Sequence, residues 1–243
     1  MDNKGKGICL ALGGIVAFIG WILYQVTFIG NAENDDIAAL LENATGETVM
    51  ATVVILLIII GLPMVVAGLR STIGQAGGTL ETLGIGFVTL GIIVFIATLG
   101  ILGTQVTMAD KLATYMGGIA AAGAAGDAEA ILKYTDAAYA AQISTGAVQA
   151  FNVAAGNIGS LLWGAGFFLI GVAYTLNSSF KGIIPAIPLG PLGIIVGTLI
   201  IVSVLIIDPI ASSSTAGLVG GIGFALSVLW AILVGGKLAT SSD

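Results

Sequence analysis

Six separate runs of about 20 predominantly apolar residues, the length a helix needs to cross a bilayer core, organise this 243-residue chain. They fall at roughly 8–30, 49–69, 82–107, 151–176, 184–207 and 217–236. The clearest is the second, where Val53 to Ile60 reads Val-Val-Ile-Leu-Leu-Ile-Ile-Ile. None alternates apolar and polar residues as a membrane-spanning strand does, so all six are read as helices. The expected fold is all-α: a polytopic membrane protein with a single membrane domain over 1–243, a bundle of six transmembrane helices with short external helices. The third and fourth runs are longer than a bilayer needs, which predicts tilt or extension past the interface.

Composition excludes the competing classes. Only 8% of residues are charged and 57% are hydrophobic, the reverse of a disordered chain. Cys9 stands alone, so no disulfide scaffold is available. Seven Lys and Arg against thirteen Asp and Glu give a net charge of -6, which repels nucleic acid. The first run follows Lys4 and Lys6, but it is longer than a usual signal peptide and ends without a small-residue cleavage pattern. It is read as a retained anchor.

Orientation follows from the basic residues. Six spans put both termini on one side, together with the 70–81 and 177–183 loops. That side holds Lys4, Lys6, Arg70, Lys181 and Lys237, whereas Lys111 and Lys133 lie opposite. The positive-inside rule then places both termini in the cytoplasm, and the expected location is a prokaryotic plasma (inner) membrane. Ten of the thirteen acids, among them Glu33, Asp110 and Asp208, fall outside.

The loops differ in weight. The 70–81 segment, with Gly74, Gly77 and Gly78, reads as a flexible turn, because no strand precedes it and no Lys-Ser/Thr follows as in a phosphate-binding loop. In the first external loop, 31–48, Ile37, Leu40 and Leu41 share one helical face behind Asp35 and Asp36. This predicts a short interfacial helix lying on the membrane or on a partner. Asn43-Ala44-Thr45 matches the acceptor pattern for N-glycosylation. The alanine-rich segment 108–150 predicts two external helices broken at Gly123–Gly126, with Ile131, Tyr134, Ala138 and Ala141 at helical spacing. It either caps this chain's own bundle or docks on a neighbouring subunit. Pro185, Pro188 and Pro191 predict an extended or stepped start to the fifth span.

The chemistry that is missing is as informative. No Lys, Arg, Asp or Glu falls near a predicted midplane, where membrane enzymes and ion-coupled carriers place them. With no histidine, the common haem, zinc and copper sites and the histidine proton shuttle are ruled out. The expectation is a non-enzyme with no catalytic, cofactor-binding or metal-ligating residues and no cofactor. Uncharged polar residues do lie within spans. Asn152 and Asn157 need partners in hydrocarbon and are read as helix-to-helix glue near the external end of the fourth span. Gly193/Gly197 and Gly217/Gly221 are G-x-x-x-G pairs, and Ser160 and Gly164 belong to a small-residue face on the fourth span. Such faces let helices meet backbone to backbone. Trp21, Trp163 and Trp230 are either lipid-facing anchors or bundle contacts.

These features lead to two functional expectations. The first is a non-catalytic integral subunit that packs against and stabilises a larger membrane protein complex. Its partners are the lipid bilayer and other membrane subunits, or further copies of the chain, and not nucleic acid. The alternative is a passive channel or facilitator for a small neutral solute, lined by Thr89, Thr98, Asn152, Asn157 and Ser160.

Overall fold

Lipid offers the backbone no hydrogen-bond partner, so an apolar run satisfies its own N–H and C=O groups by coiling. The computed structural model describes residues 3–177 and 180–240, and every regular element among them is helical. The helices are α1 (Asn3–Tyr24), α2 (Ile37–Ala44), α3 (Thr48–Leu69), α4 (Gly78–Ala125), α5 (Ala128–Asn177), α6 (Leu189–Val202), the short α7 (Asp208–Ile210) and α8 (Ser213–Thr240). Two π-helical turns, Gln25–Ile29 and Ser203–Ile207, extend α1 and α6. Six helices are long and apolar enough to cross a membrane, in agreement with the six runs.

The spanning helices form a closed ring. Each packs on the next in the order α1, α3, α4, α5, α6, α8, and α8 returns to α1. The chain crosses back and forth, so one end of the ring carries both termini and the other carries α2 and the α4–α5 turn. These are called here the terminal end and the hairpin end.

At the terminal end glycines bring helix backbones together. Gly13 and Gly61 face each other across α1 and α3, so that a Cβ on either would lie 2.8 Å from the other's carbonyl oxygen. Gly84 and Gly166 do the same across α4 and α5, at 2.7 and 2.6 Å. Gly7 pairs with Gly235, and Gly171 with Gly193. The 70–81 loop is not the loose turn its glycines suggest. Glu81 is 1% exposed, and its carboxylate accepts hydrogen bonds from the backbone N–H groups of Gly74 (2.7 Å), Ala76 (3.2 Å) and Gly77 (3.0 Å). Gly74, Gly77 and Gly78 take positive φ, which lets the chain curl around that one side chain.

The 108–150 segment does not form separate external helices. Met-Ala-Asp-Lys-Leu-Ala after Thr107 contains good helix formers and no stop signal, so α4 runs on from the membrane without a break. Gly117 and Gly118 are carried inside the helix, and the Tyr134 ring lies against Gly118. The predicted interruption is confined to one turn. Gly126 adopts the left-handed conformation at φ 71, and Asp127 N–H returns to the Ala122 carbonyl. The Asp127 carboxylate then caps α5 by accepting from Ala130 N–H. At 1.5 Å per residue α4 and α5 are about 72 and 75 Å long, so the pair projects beyond the bundle as a helical hairpin.

Two other expectations shift. The apolar face of α2 is turned onto this same chain: Leu41 is 2% exposed and packs with Phe28, Val54, Leu102 and Val106. Asn43 is tied inward as well, its side-chain amide donating to the Ile29 carbonyl at 3.1 Å. The fifth span begins at Leu189, not near Ile184, because the residues before it, through Pro188, run as turns and extended chain. The stepped proline start is present, one turn deeper than the hydropathy suggests.

Candidate functional site

The ring of helices encloses a cavity of about 560 Å³ to which all six spans contribute. Its terminal end is floored by apolar side chains: Leu10, Leu69 and Trp230 are fully buried and still line it. Trp230 is fixed in place by its indole N–H, which donates to the Leu189 carbonyl at 3.2 Å.

Above the floor the wall is aromatic. Phe95 of α4, Trp163 of α5 and Phe224 of α8 touch one another with ring centroids 5.5 to 6.1 Å apart. Phe224 continues to Trp21 of α1, and Trp163 stacks on Phe167, which meets Trp230 edge-on. Aromatic pairs prefer such stacked, tilted and T-shaped arrangements, and here they link α8 to the neighbouring pair α4 and α5, which it does not adjoin in the ring. Trp163 and Trp230 are therefore bundle contacts, not lipid anchors. The Trp163 indole nitrogen is buried with no hydrogen-bond partner among the described residues.

Toward the hairpin end the lining turns polar. Gln105 of α4 donates to the Gln149 side chain of α5 at 2.5 Å, and Asn152 donates to the same oxygen at 3.5 Å. Gln25 lies across the cavity on the first π-turn, and Asp208 follows the second. Thr98, Asn157 and Ser160 also line the space. Thr89 does not, and its hydroxyl donates to the Ile85 carbonyl of its own helix at 2.8 Å.

The mouth is held by a short polar cluster. The Ser213 hydroxyl donates to the Glu33 carboxylate, Ser214 N–H donates to it at 3.2 Å, and Asn34 N–H donates to the Ser213 hydroxyl at 3.1 Å. These bonds hold the Glu33 carboxyl below the usual carboxylate range. An acid at the start of α8 also meets the positive end of that helix.

The residues singled out from sequence divide into two groups. Gly164, Gly193 and Gly197 are packing residues: a Cβ on Gly197 would lie 2.5 Å from the Gly164 carbonyl oxygen, and one on Gly193 would lie 2.9 Å from the Gly171 Cα. Gly221 makes room for the Trp21 ring. Gly217 falls in the second group, bordering the cavity with nothing within 4 Å of a Cβ there. Asn152 joins Gln149 on its own helix and bonds the Tyr24 side chain of α1, while Asn157 and Ser160 have no side-chain bond to another helix among the described residues and face the cavity. Sequence reasoning missed Gln105, Gln149, Asp208 and Glu33. Two glutamines at the membrane edges of the longest helices were the available signal for the first pair.

No family model, curated protein or solved structure matches the chain.

Proposed function

We propose that the chain is a non-catalytic integral subunit of a larger membrane assembly, with both termini in the cytoplasm of a prokaryote and the α4–α5 hairpin outside. The observation that carries this reading is a seam along α5 that none of the described residues covers. Leu132, Asp136, Tyr139, Ile143, Ala147, Ala150 and Ala154 recur at spacings of three and four, all exposed. The larger members are 63% (Leu132), 65% (Tyr139) and 58% (Ile143) exposed. Such spacing is the pattern of a helix that packs on another helix. Large apolar side chains gathered on one exposed face mark interaction surfaces, and the alanines let a second backbone approach closely. The inner face of the same helix, with Ala138, Ala141 and Thr145 buried, is already used against α4.

The seam continues past Phe151 and Ile158, which are 66% and 55% exposed, into the spanning part of α5. A partner that covers all of it crosses the membrane boundary too. A passive facilitator has less support, because its polar path must be continuous, and below Ser227 the cavity is lined by Leu10, Leu62, Val65 and Leu69.

Photo-reactive side chains at Tyr139 and Ile143 test the reading in native membranes, with Gln142 on another face as control. The expected result is one cross-linked membrane protein of constant size from both seam positions and none from Gln142. Mild detergent extraction should recover the same protein with the chain. A lone monomer without a seam cross-link, or a cross-link only to a second copy, overturns the proposal. Thiol labelling of cysteines introduced near Lys181 and Lys133 checks orientation, with external labelling expected only near Lys133.

A further inference from the structure

We propose that the central cavity is a binding site for a lipophilic organic cation, with the charge held at Asp208 and the apolar body among the aromatic rings. This inference is independent of the hairpin seam.

Asp208 is a half-buried carboxylate in the cavity wall, with no hydrogen-bond or ion-pair partner among the described residues. A carboxylate partly removed from water gains most from an opposite charge. Among the described residues none is supplied, because no Lys or Arg lines the cavity. Glu33, the nearer acid in sequence to the mouth, is already engaged by Ser213 and Ser214. The free charge of the site is thus a single negative one. It repels carboxylates and phosphates, and a neutral guest leaves it unpaired.

Backbone geometry points to the same place independently. π-Turns are rare and occur mostly at functional sites, where the extra residue widens the helix. Both π-turns among the described residues lie at the hairpin end and both contribute to the cavity: Gln25 and Ile29 from the first, Ser203 and Val204 from the second. The second leads directly into Asp208.

The rest of the cavity suits the body of such a guest. Its volume falls in the roughly 300–1,000 Å³ range of small-molecule sites. Trp21, Phe95, Trp163 and Phe224 present ring surfaces that bury apolar groups and attract cations. The carboxamides of Gln25, Asn152 and Asn157 accept hydrogen bonds from an ammonium without adding charge. Gly156 and Gly217 keep the wall free of side chains, with nothing within 4 Å of a Cβ at either.

The full chain in lipid nanodiscs tests the assignment with two probes of nearly the same shape, tetraphenylphosphonium and tetraphenylborate, each corrected for empty nanodiscs. Saturable binding of the cation with quenching of tryptophan fluorescence is expected, and no saturable binding of the anion. Asp208→Asn should weaken cation binding at least tenfold. Gly217→Leu, which fills open space at the rim, should slow association severalfold at an unchanged melting temperature, and it serves as the test if Asp208→Asn fails to fold. Equal binding of both ions, no saturable binding of the cation, or unchanged cation binding in either folded variant overturns the proposal.

Discussion

At the terminal end of the bundle Gly13, Gly166 and Gly171 bring helix backbones into contact, whereas at the hairpin end Gly156 and Gly217 border open space. The residue is the same and the outcome opposite. Glycine removes a side chain, and what stands across from it decides whether the result is contact or volume. Where two glycines face each other, helices close and dispersion contacts replace lipid. Where no second backbone stands opposite, as at Gly156 and Gly217, the same deletion leaves open space. One bundle thereby has a packed end and an end that opens into the cavity.

Substitutions at matched positions break this contrast most sharply. Gly166→Ala puts a methyl group 2.6 Å from the Gly84 carbonyl oxygen, and overpacking of this kind costs about 1–3 kcal/mol or more. Thermal unfolding in nanodiscs should show the largest fall in Tm for this variant, while Gly156→Ala leaves Tm unchanged or slightly raised. A comparable fall at both positions would erase the distinction.

Glu81→Ala removes one carboxylate and strands three backbone N–H groups at the terminal end. Hydrogen bonds to a charged group contribute about 1.5–3 kcal/mol, and the loss should be of that order. Hydrogen exchange at Gly74, Ala76 and Gly77 should quicken, and Glu81→Gln, which keeps one acceptor oxygen, should restore part of the protection. Gln149→Leu tests the hairpin end. It breaks the Gln105–Gln149–Asn152 chain, and interhelical bonds of this kind contribute about 0.6 kcal/mol, up to ~2. A small fall in Tm is expected, together with altered tryptophan fluorescence from the cavity.

The smallest effect concerns pH. Glu33 is held below the usual carboxylate range by its bonds to Ser213 and Ser214. A depressed carboxyl contributes its stability above its ordinary value and loses it as pH falls through the lowered one. Protection of the Ser214 amide, corrected for the intrinsic exchange rate at each pH, should therefore be constant across the neutral range and fall only in acid below the usual glutamate range. In Glu33→Gln that acid-dependent loss of protection should disappear.

Much of the fold is legible in the sequence because lipid demands long apolar runs, and Val53–Ile60 or the glycine spacing at 193 and 197 carries its meaning locally. The remainder depends on partners distant in sequence. Gly84 and Gly166 are isolated glycines on separate helices until the fold brings them face to face. Glu81 resembles an ordinary acid at a helix start, although its place four residues after Gly77 is a faint sign that it anchors the preceding turn. The 107–108 boundary between apolar and alanine-rich sequence marks a change of solvent, not a change of structure, so the helix continues where composition suggests a new element. The π-turns have no sequence marker, and the cavity is a property of the ring of six helices, not of any one of them. Asp208 is therefore visible in the sequence only as a boundary acid.

The unbroken length of α4 and α5 has a mechanical consequence. A helix is a poor hinge, and neither rod has a kink-forming proline between tip and terminal end. A sideways force on the Ala125–Ala128 tip is transmitted as a lever, with the Gln105–Gln149 contact near its fulcrum. The short arm of that lever carries Phe95 and Trp163 into the cavity wall. Tilt of the hairpin and shape of the cavity are therefore expected to change together, which the distance between a spin label at the tip and another beside Phe95 measures.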